Sequence, residues 1–270
     1  MKSAFDQVLE AYVPYGDNPF TRLAGKTLVV FDTETTGLSP RNNQITEIGA
    51  VAVDADTFNE IGSYHVRVDL NEQTLQSIKQ QSDDNFEGFR IVDILKMTNY
   101  YNSQNKVIDE RAAIEGFQAF VPDGAVIIAH NAAFDLKMIN TRVKKLGGHA
   151  VKNYSKVIDT MILSREFFIP MSQELELDGD LNAKKQLDQL TKKWTSKGKR
   201  AKVSSRLGDL IKGLMNKTLE GWHEAINDAR ATLDLLKVFK QFFDKHFDSG
   251  LKYNHDFIRR YKRAYDYRKK

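Results

Sequence analysis

The hydropathy pattern of this chain predicts an α/β fold: a five-stranded mixed sheet, part antiparallel meander and part parallel βα units, flanked by helices. Three observations carry that expectation. Three β-rich segments follow one another over short connections near the start, which suits antiparallel neighbours. Alternating strands and helices come next, an order that implies parallel pairing. The 270 residues are 41% hydrophobic and 28% charged, enough apolar material for a real core in a large domain.

The elements read in order as follows. Residues 1–24 form an N-terminal extension in which Phe5, Val8 and Leu9 have helical spacing, ended by Pro14, Gly16 and Pro19. Thr27 to Asp32 is short, apolar and Val-rich, a buried strand. Ile45 to Asp54 is a second strand, and Ser63 to Leu70 a third with Tyr64, Val66 and Val68 on one face. Asn71 to Lys106 is polar, with short helical pieces expected. Asp109 to Phe120 is helical and stops at Pro122-Asp123-Gly124. Ala125 to Ala129 is a fourth strand, Phe134 to Leu146 a helix, Lys156 to Asp159 a fifth strand, and Thr160 to Phe168 a helix stopped before Pro170. Met171 to Asp180, with four acids, reads as an exposed loop without the spacing of a calcium hand. Lys185 to Trp194 is helical, as is the stretch through Leu210, Ile211 and Leu214. Trp222 to Phe247 is a long amphipathic helix.

Cysteine is absent, so disulfides and zinc–thiolate sites are excluded. No apolar run reaches about 18 residues, so no transmembrane helix and no membrane partner are expected. The start of the chain lacks the apolar core of a secretory signal, and a cytoplasmic location is expected. The net charge is +4, mild in itself but unevenly spread. Thr195 to Arg206 holds Lys197, Lys199, Arg200, Lys202 and Arg206 without an acid. The tail from 248 to 270 interleaves Arg259, Arg260, Lys262, Arg263, Arg268, Lys269 and Lys270 with Tyr253, Phe257, Tyr261, Tyr265 and Tyr267. Basic charge beside aromatic rings suits phosphates and stackable bases, although each segment also reads as a solvated helical face.

Three distant stretches hold the chemistry-bearing residues: Phe31-Asp32-Thr33-Glu34-Thr35-Thr36-Gly37-Leu38, His130-Asn131-Ala132-Ala133-Phe134-Asp135, and His223-Glu224-Ala225-Ile226-Asn227-Asp228. Asp32 and Glu34 are two apart at a strand end, so both side chains point to one side and can share a hard divalent cation. Asp135 opens a helix after the fourth strand, at the carboxyl edge where α/β sheets bind ligands; it also reads as a helix-terminus acid. A neutral His223 can take a proton from water, and Asp228 lies five residues on near the start of the last helix. Any one of these pairs alone reads better as surface acids or a satisfied histidine.

Taken together, the stretches resemble the three motifs of the DEDDh 3′–5′ exonucleases, the DnaQ-like branch of the RNase H-like superfamily. Asp32, Glu34, Asp135 and Asp228 match the four acids, and His223 matches the histidine of the subgroup. Thr46-Glu47-Ile48-Gly49-Ala50 is similar to the family's second strand, and Asp159-Thr160 with Arg165 to the strand and helix after the second motif. The resemblance runs from about Thr27 to about Phe242.

It implies an RNase H-like sheet and a metal-dependent 3′–5′ exonuclease that releases 5′-mononucleotides by two-metal hydrolysis with Mg²⁺ or Mn²⁺. The implied metal ligands are Asp32, Glu34, Asp135 and Asp228, with Asp32 bridging, and the implied general base is His223. The implied substrate contacts are Thr35, Thr36, Leu38, His130, Asn131 and Phe134, with Leu38 as a wedge between bases. DNA with single-stranded 3′ ends is favoured, because Glu34 to Leu38 looks more like the DNA-directed branch. An exoribonuclease of the same family and a mainly non-catalytic nucleic-acid-binding subunit are the alternatives.

The organisation expected is an N-terminal extension (1–24), the exonuclease domain (25–247) with a basic insertion around 195–220, and a basic aromatic tail (248–270). A polymerase or replication partner, if there is one, is not determinable from the residues. Gln186 to Leu190 loosely resembles a sliding-clamp peptide but fits a helix better. His65, His149, His246 and His255 sit in no motif and receive no role.

Overall fold

The computed structural model describes residues 20, 23–76, 107–148, 156–192, 202–218 and 224–247. Most of the expected N-terminal extension, most of 71–106, much of the basic insertion, His223 and the basic tail lie outside the described residues.

A six-stranded sheet organises the fold, in the order β4-β3-β2-β1-β5-β6. The strands are β1 (Thr27–Thr35), β2 (Ile45–Asp54), β3 (Glu60–Val68), β4 (Val107–Ile108), β5 (Val126–Ala129) and β6 (Lys156–Asp159). β1, β2 and β3 form the antiparallel meander, while β5 and β6 join β1 in parallel. The mixed RNase H-like sheet is thus as expected, with one strand more. β4 pairs in parallel with β3 through two residues, too short to leave a period in the sequence.

Helices cover both faces, because β1 is apolar on both. Leu28 and Val30 enter a core with Phe168, Leu236, Phe239 and Phe243. Val29 and Phe31, pointing the other way, join Phe117, Met138, Ile139 and Val143. The second core is covered by α1 (Glu110–Phe120) and α2 (Ala132–Lys145). A buried ion pair locks this layer: Arg142 donates to Glu110 through Nε at 2.8 Å and again through its terminal nitrogen, and Glu110 also accepts from the Ile45 amide at 2.9 Å. Phe20 and Leu23, described residues of the expected N-terminal extension, are buried in the first core, and the Phe20 ring lies 5.9 Å from that of Phe243.

The first core is covered by α3 (Thr160–Leu163), α4 (Ile169–Leu177), α5 (Leu181–Leu190), α6 (Leu207–Met215) and the long α7 (Ala225–Phe247). Three expectations are corrected here. Pro170 does not stop the helix: a π turn, Ser164–Phe168, joins α3 to α4. Within it the Ile169 amide bonds back five residues to Ser164, and Pro170 falls in the first turn of α4, where a missing N–H is tolerated. Consequently Met171 to Leu177 is helix rather than loop, and Met171 and Ser172 are buried. The next helix starts earlier than expected, at Leu181, because Asp180 caps the amides of Asn182 and Ala183. It ends at Leu190, where Thr191–Lys192 (β7) pairs with Lys202–Val203 (β8). The clamp-like Gln186 to Leu190 lies inside α5 with Leu187 and Leu190 buried.

Candidate active site

The carboxyl end of β1 is where the pieces converge. Strand alternation sends Asp32 and Glu34 to the α7 face, continuing the line of Leu28 and Val30, and sends Thr33 to the α2 face. Cross-strand pairing extends this in two rows. Asp32 stands opposite Gly49, which stands opposite His65; Glu34 stands opposite Glu47, which stands opposite Arg67. All six positions share one face, and the first turn of α7 lies across them.

Gly49 permits that approach. A Cβ there would sit 2.2 Å from the Ile226 nitrogen and 2.3 Å from the Ala225 carbonyl carbon. With no side chain at Gly49, α7 comes down onto the sheet and brings Asp228 to the two acids of β1. One carboxylate oxygen from each of Asp32, Glu34 and Asp228 lies within 4.8 Å of the others. Asp32 is held well above the ordinary carboxylate range, first by loss of water and then by the charges of Asp135, Glu34, Asp228 and Glu47. All-oxygen donors, close together and mutually repelling, fit a hard divalent cation, whose charge would remove the repulsion.

Asp135 is reached from the opposite face. It is buried on α2, and its Oδ1 accepts from the Thr33 amide at 3.1 Å and the Thr33 hydroxyl at 2.6 Å. Burial lifts its pKa to about 7 although these donors pull it down, and Asp159 adds to the rise. Asp159 is also buried and raised to about 6 by desolvation. Its Oδ1 accepts from the amides of Asn131, Met161 and Ile162, at 3.0, 2.9 and 3.3 Å, capping α3 and anchoring the β5–α2 turn. Asn131 takes the left-handed conformation in that turn (φ 76°), one that asparagine tolerates better than most side chains.

The expected substrate contacts fall around this edge. The Thr35 hydroxyl donates to the Gly37 carbonyl at 2.9 Å, and the Thr36 hydroxyl accepts from the Gln44 amide at 3.0 Å. Leu38 is 76% exposed on the β1–β2 loop. Phe134 is partly buried against the second core. His130 has both ring nitrogens engaged: Nε2 donates to the Ser205 carbonyl at 3.0 Å, and Nδ1 lies 2.9 Å from the Thr160 hydroxyl. Desolvation lowers its pKa to about 4, so it is neutral near pH 7. His223, the expected base, lies outside the described residues.

Sequence reasoning missed the apparatus that holds α7. Glu47 is fully buried; its Oε1 accepts from the Ala225 amide at 3.1 Å and sits 2.5 Å from His65 Nε2. Arg67 donates to Glu224 at 2.7 Å, just before the helix begins. An acid inside the apolar run of β2 was the available signal for Glu47. Nothing in the sequence marked His65, Arg67 or the backbone contact at Gly49. Thr33, enclosed between two motif acids, was passed over as a spacer.

A mixed sheet of this order, with carboxylates gathered where β1, α2 and α7 meet, defines an RNase H-like domain with a nuclease-type acidic centre. The exonuclease family model of the RNase T type matches residues 29–87 and 91–236. The chain belongs to that exonuclease family, in its DnaQ-like, DEDDh branch, and is a nuclease domain by descent. Among curated proteins it is 34% identical over 160 residues to the PolC-type DNA polymerase III of Halalkalibacterium halodurans, covering 58% of this chain and 9% of the polymerase. It is 30% identical over 213 residues to that of Clostridium perfringens, covering 77% of this chain and 11% of the polymerase. The chain therefore spans about a tenth of these relatives' length. Among solved structures, a zinc-bound complex of E. coli exonuclease I with single-stranded DNA has a TM-score of 0.54 at 19% identity, covering 83% of this chain and 42% of that one. A product-bound exonuclease I gives 0.53 at 18%, covering 83% and 45%. At these identities the likeness shows the fold alone. Among the described residues no helix is long and apolar enough to cross a membrane.

Proposed function

We propose that this chain is a divalent-metal-dependent 3′–5′ exonuclease that removes 5′-mononucleotides from single-stranded 3′ ends, DNA in preference to RNA. The observation that carries the reading is the Asp32–Glu34–Asp228 cluster, three carboxylates within 4.8 Å in a chain of this family. Asp32, Glu34 and Asp228 would hold one Mg²⁺ or Mn²⁺, and Asp32 with Asp135 a second. Bound there, such ions supply charge for the phosphate oxygens and lower the pKa of water.

The remaining work falls to the chain's own groups. His223, immediately before the Arg67-tethered Glu224, would take the proton from the attacking water as a neutral imidazole. His130 is unsuited to that task, because both its nitrogens are already engaged within the fold. It would serve as a wall, with Asn131 and Phe134 beside it. Thr33, bonded to Asp135 Oδ1 through its amide and hydroxyl, would leave Oδ2 for the ion. Leu38, exposed on its loop, would press between terminal bases, with the hydroxyl bonds of Thr35 and Thr36 shaping the backbone beside it. The relatives at 30–34% identity are DNA polymerases, which makes DNA replication the natural setting for this activity.

The test is degradation of 5′-labelled single-stranded DNA and matching RNA with Mg²⁺. The expected result is a ladder shrinking one nucleotide at a time, faster on DNA, lost in EDTA and absent with Asp228→Ala. His223→Ala should retain affinity and lose about 10²–10⁴-fold in rate. Binding without cleavage by the wild-type chain would establish the binding-subunit reading instead, and faster loss of RNA would establish the exoribonuclease one.

A further inference from the structure

Beside the proposed site lies a second concavity, about 450 Å³ in volume, between the β1–β2 loop and the end of α2. It shares Thr36 with the edge described above and is lined mainly by cationic and amide side chains, among them Arg41, Asn42, Gln73, Arg142 and Lys145, with Thr74 and Leu146 completing the wall. Its lining includes no carboxylate among the described residues. Arg142 is neutralised by Glu110, so the cationic character of the cleft comes from Arg41 and Lys145, both exposed. Asn42 and Gln73 are exposed as well.

The walls are built rather than loose. Lys145 Nζ donates to the Arg41 carbonyl at 3.0 Å, pinning the loop to α2. Asn43 accepts from the Ser39 amide at 3.0 Å and donates to the Thr36 carbonyl at 3.3 Å, and a Cβ at Gly37 would meet its side chain at 2.6 Å. Asn71 donates to Gln44 Oε1 at 3.1 Å, while Gln44 Nε2 donates to the Asp69 carbonyl at 2.7 Å. Asn43 and Asn71 thus stiffen the cleft and leave its exposed cations and amides as ligand-facing groups.

We propose that this cleft binds one nucleotide unit of the nucleic-acid strand. Its phosphate would lie between Arg41 and Lys145, and its base edge against Asn42 and Gln73. Cations take the phosphate without regard to sequence, and side-chain amides offer both donor and acceptor to a base. The shared residue Thr36 makes the cleft continuous with the proposed position of the 3′ end, so it adds a grip on the strand away from the scissile bond. The proposal rests on the nucleic-acid reading of the acidic site.

The experiment is fluorescence anisotropy of a labelled single-stranded DNA 12-mer in EDTA, across a KCl series. It compares the wild-type chain with Arg41→Ala/Lys145→Ala and with Asn42→Ala/Gln73→Ala. Loss of both cations from that one phosphate should weaken binding about tenfold or more at low salt and flatten the log–log salt slope by about 0.7. Removing the amides should weaken binding with the slope unchanged. Unchanged affinity and slope in the Arg41/Lys145 variant would overturn the proposal, whether or not the wild-type chain makes a ladder. A free mononucleotide carries the same phosphate and base, so saturation-transfer NMR with dTMP forms a second arm. A dTMP signal abolished by the Arg41/Lys145 change, with oligonucleotide affinity intact, would overturn the strand reading in favour of a product site. Failure of the wild-type chain to bind the 12-mer at all would defeat both this inference and the reading beneath it.

Discussion

Two carboxylate clusters lie side by side under the first turn of α7, and they are alike by distance alone. Asp32, Glu34 and Asp228 form one; Glu47, His65 and Glu224 form the other, and each brings three ligand atoms within 4.8 Å. Their surroundings differ. The second meets its partners inside the protein: Glu47 has His65 and the Ala225 amide, while Glu224 has Arg67 and the Asn227 side chain. In the first, Asp32 is pushed up by burial and by four neighbouring acids. Proximity of acids therefore does not define a metal centre. The second cluster is a strut, because a guanidinium and hydrogen-bond donors are built into it; the first crowds like charges around Asp32.

The sharpest break of that comparison is Asp32→Asn. It should abolish hydrolysis, by about 10³-fold or more, since several kcal/mol of transition-state charge stabilisation depend on the ion it would hold. Yet it should raise the metal-free melting temperature, because it removes a like charge from a crowded site. A fall in metal-free stability would show that the cluster is not under repulsion.

The strut should respond in the opposite way. Glu47→Ala leaves the Ala225 amide without its acceptor in a buried place, and denaturant unfolding should show a loss of about 1–3 kcal/mol. Glu47→Gln keeps an acceptor and should recover much of it. Half-activation by Mg²⁺ should move to higher concentration in the alanine variant, since Asp228 rides on the same turn. Equal stability of Glu47→Ala and wild type would demote the strut.

His130 offers a smaller, pH-resolved effect. Its pKa is lowered to about 4 in the fold, so the unfolded chain takes up its proton first as the pH drops. Its stabilising contribution is complete above about pH 6.5 and is lost as the pH falls toward 4. Unfolding free energies of wild type and His130→Gln between pH 7 and 4.5 should diverge by at most about 1.4 kcal/mol per pH unit, with the wild type falling more steeply. Parallel profiles would contradict a neutral, desolvated ring. The smallest effect should come from the exposed Arg230–Glu60 pair, 3.0 Å apart at the flank of α7. Glu60→Gln should change stability by no more than about 0.5 kcal/mol, which separates the buried ties of the helix from its decorative one.

The legible part of this molecule was what repeats or alternates. Asp32 and Glu34 declared a shared face because strands have a period of two, and the short apolar runs of β1 and β5 declared burial. The strut was illegible for a physical reason: Glu47, His65 and Glu224 are far apart in sequence and meet only through strand register and a helix that returns from residue 225. His65 carried no local pattern, yet it braces the turn that bears Asp228. Pro170 misled because its usual helix-breaking cost is avoided by a π turn, and nothing in Ser164 to Phe168 announces one. β4, β7 and β8 are two residues each, shorter than any period can reveal.

On the proposed two-metal reading, the missing side chain at Gly49 bears on ion choice. Mg²⁺ takes oxygens at about 2.0–2.1 Å and Ca²⁺ at about 2.3–2.6 Å, so a few tenths of an ångström in the separation of Asp32 and Asp228 favour one over the other. That separation is set by how closely a helix backbone settles on a strand backbone, where a Cβ would stand 2.2 Å from Ile226 nitrogen. A single methyl group at Gly49, touching neither ion nor substrate, would wedge the two apart. Selectivity for the smaller cation would then reside in a residue with no ligand atom at all.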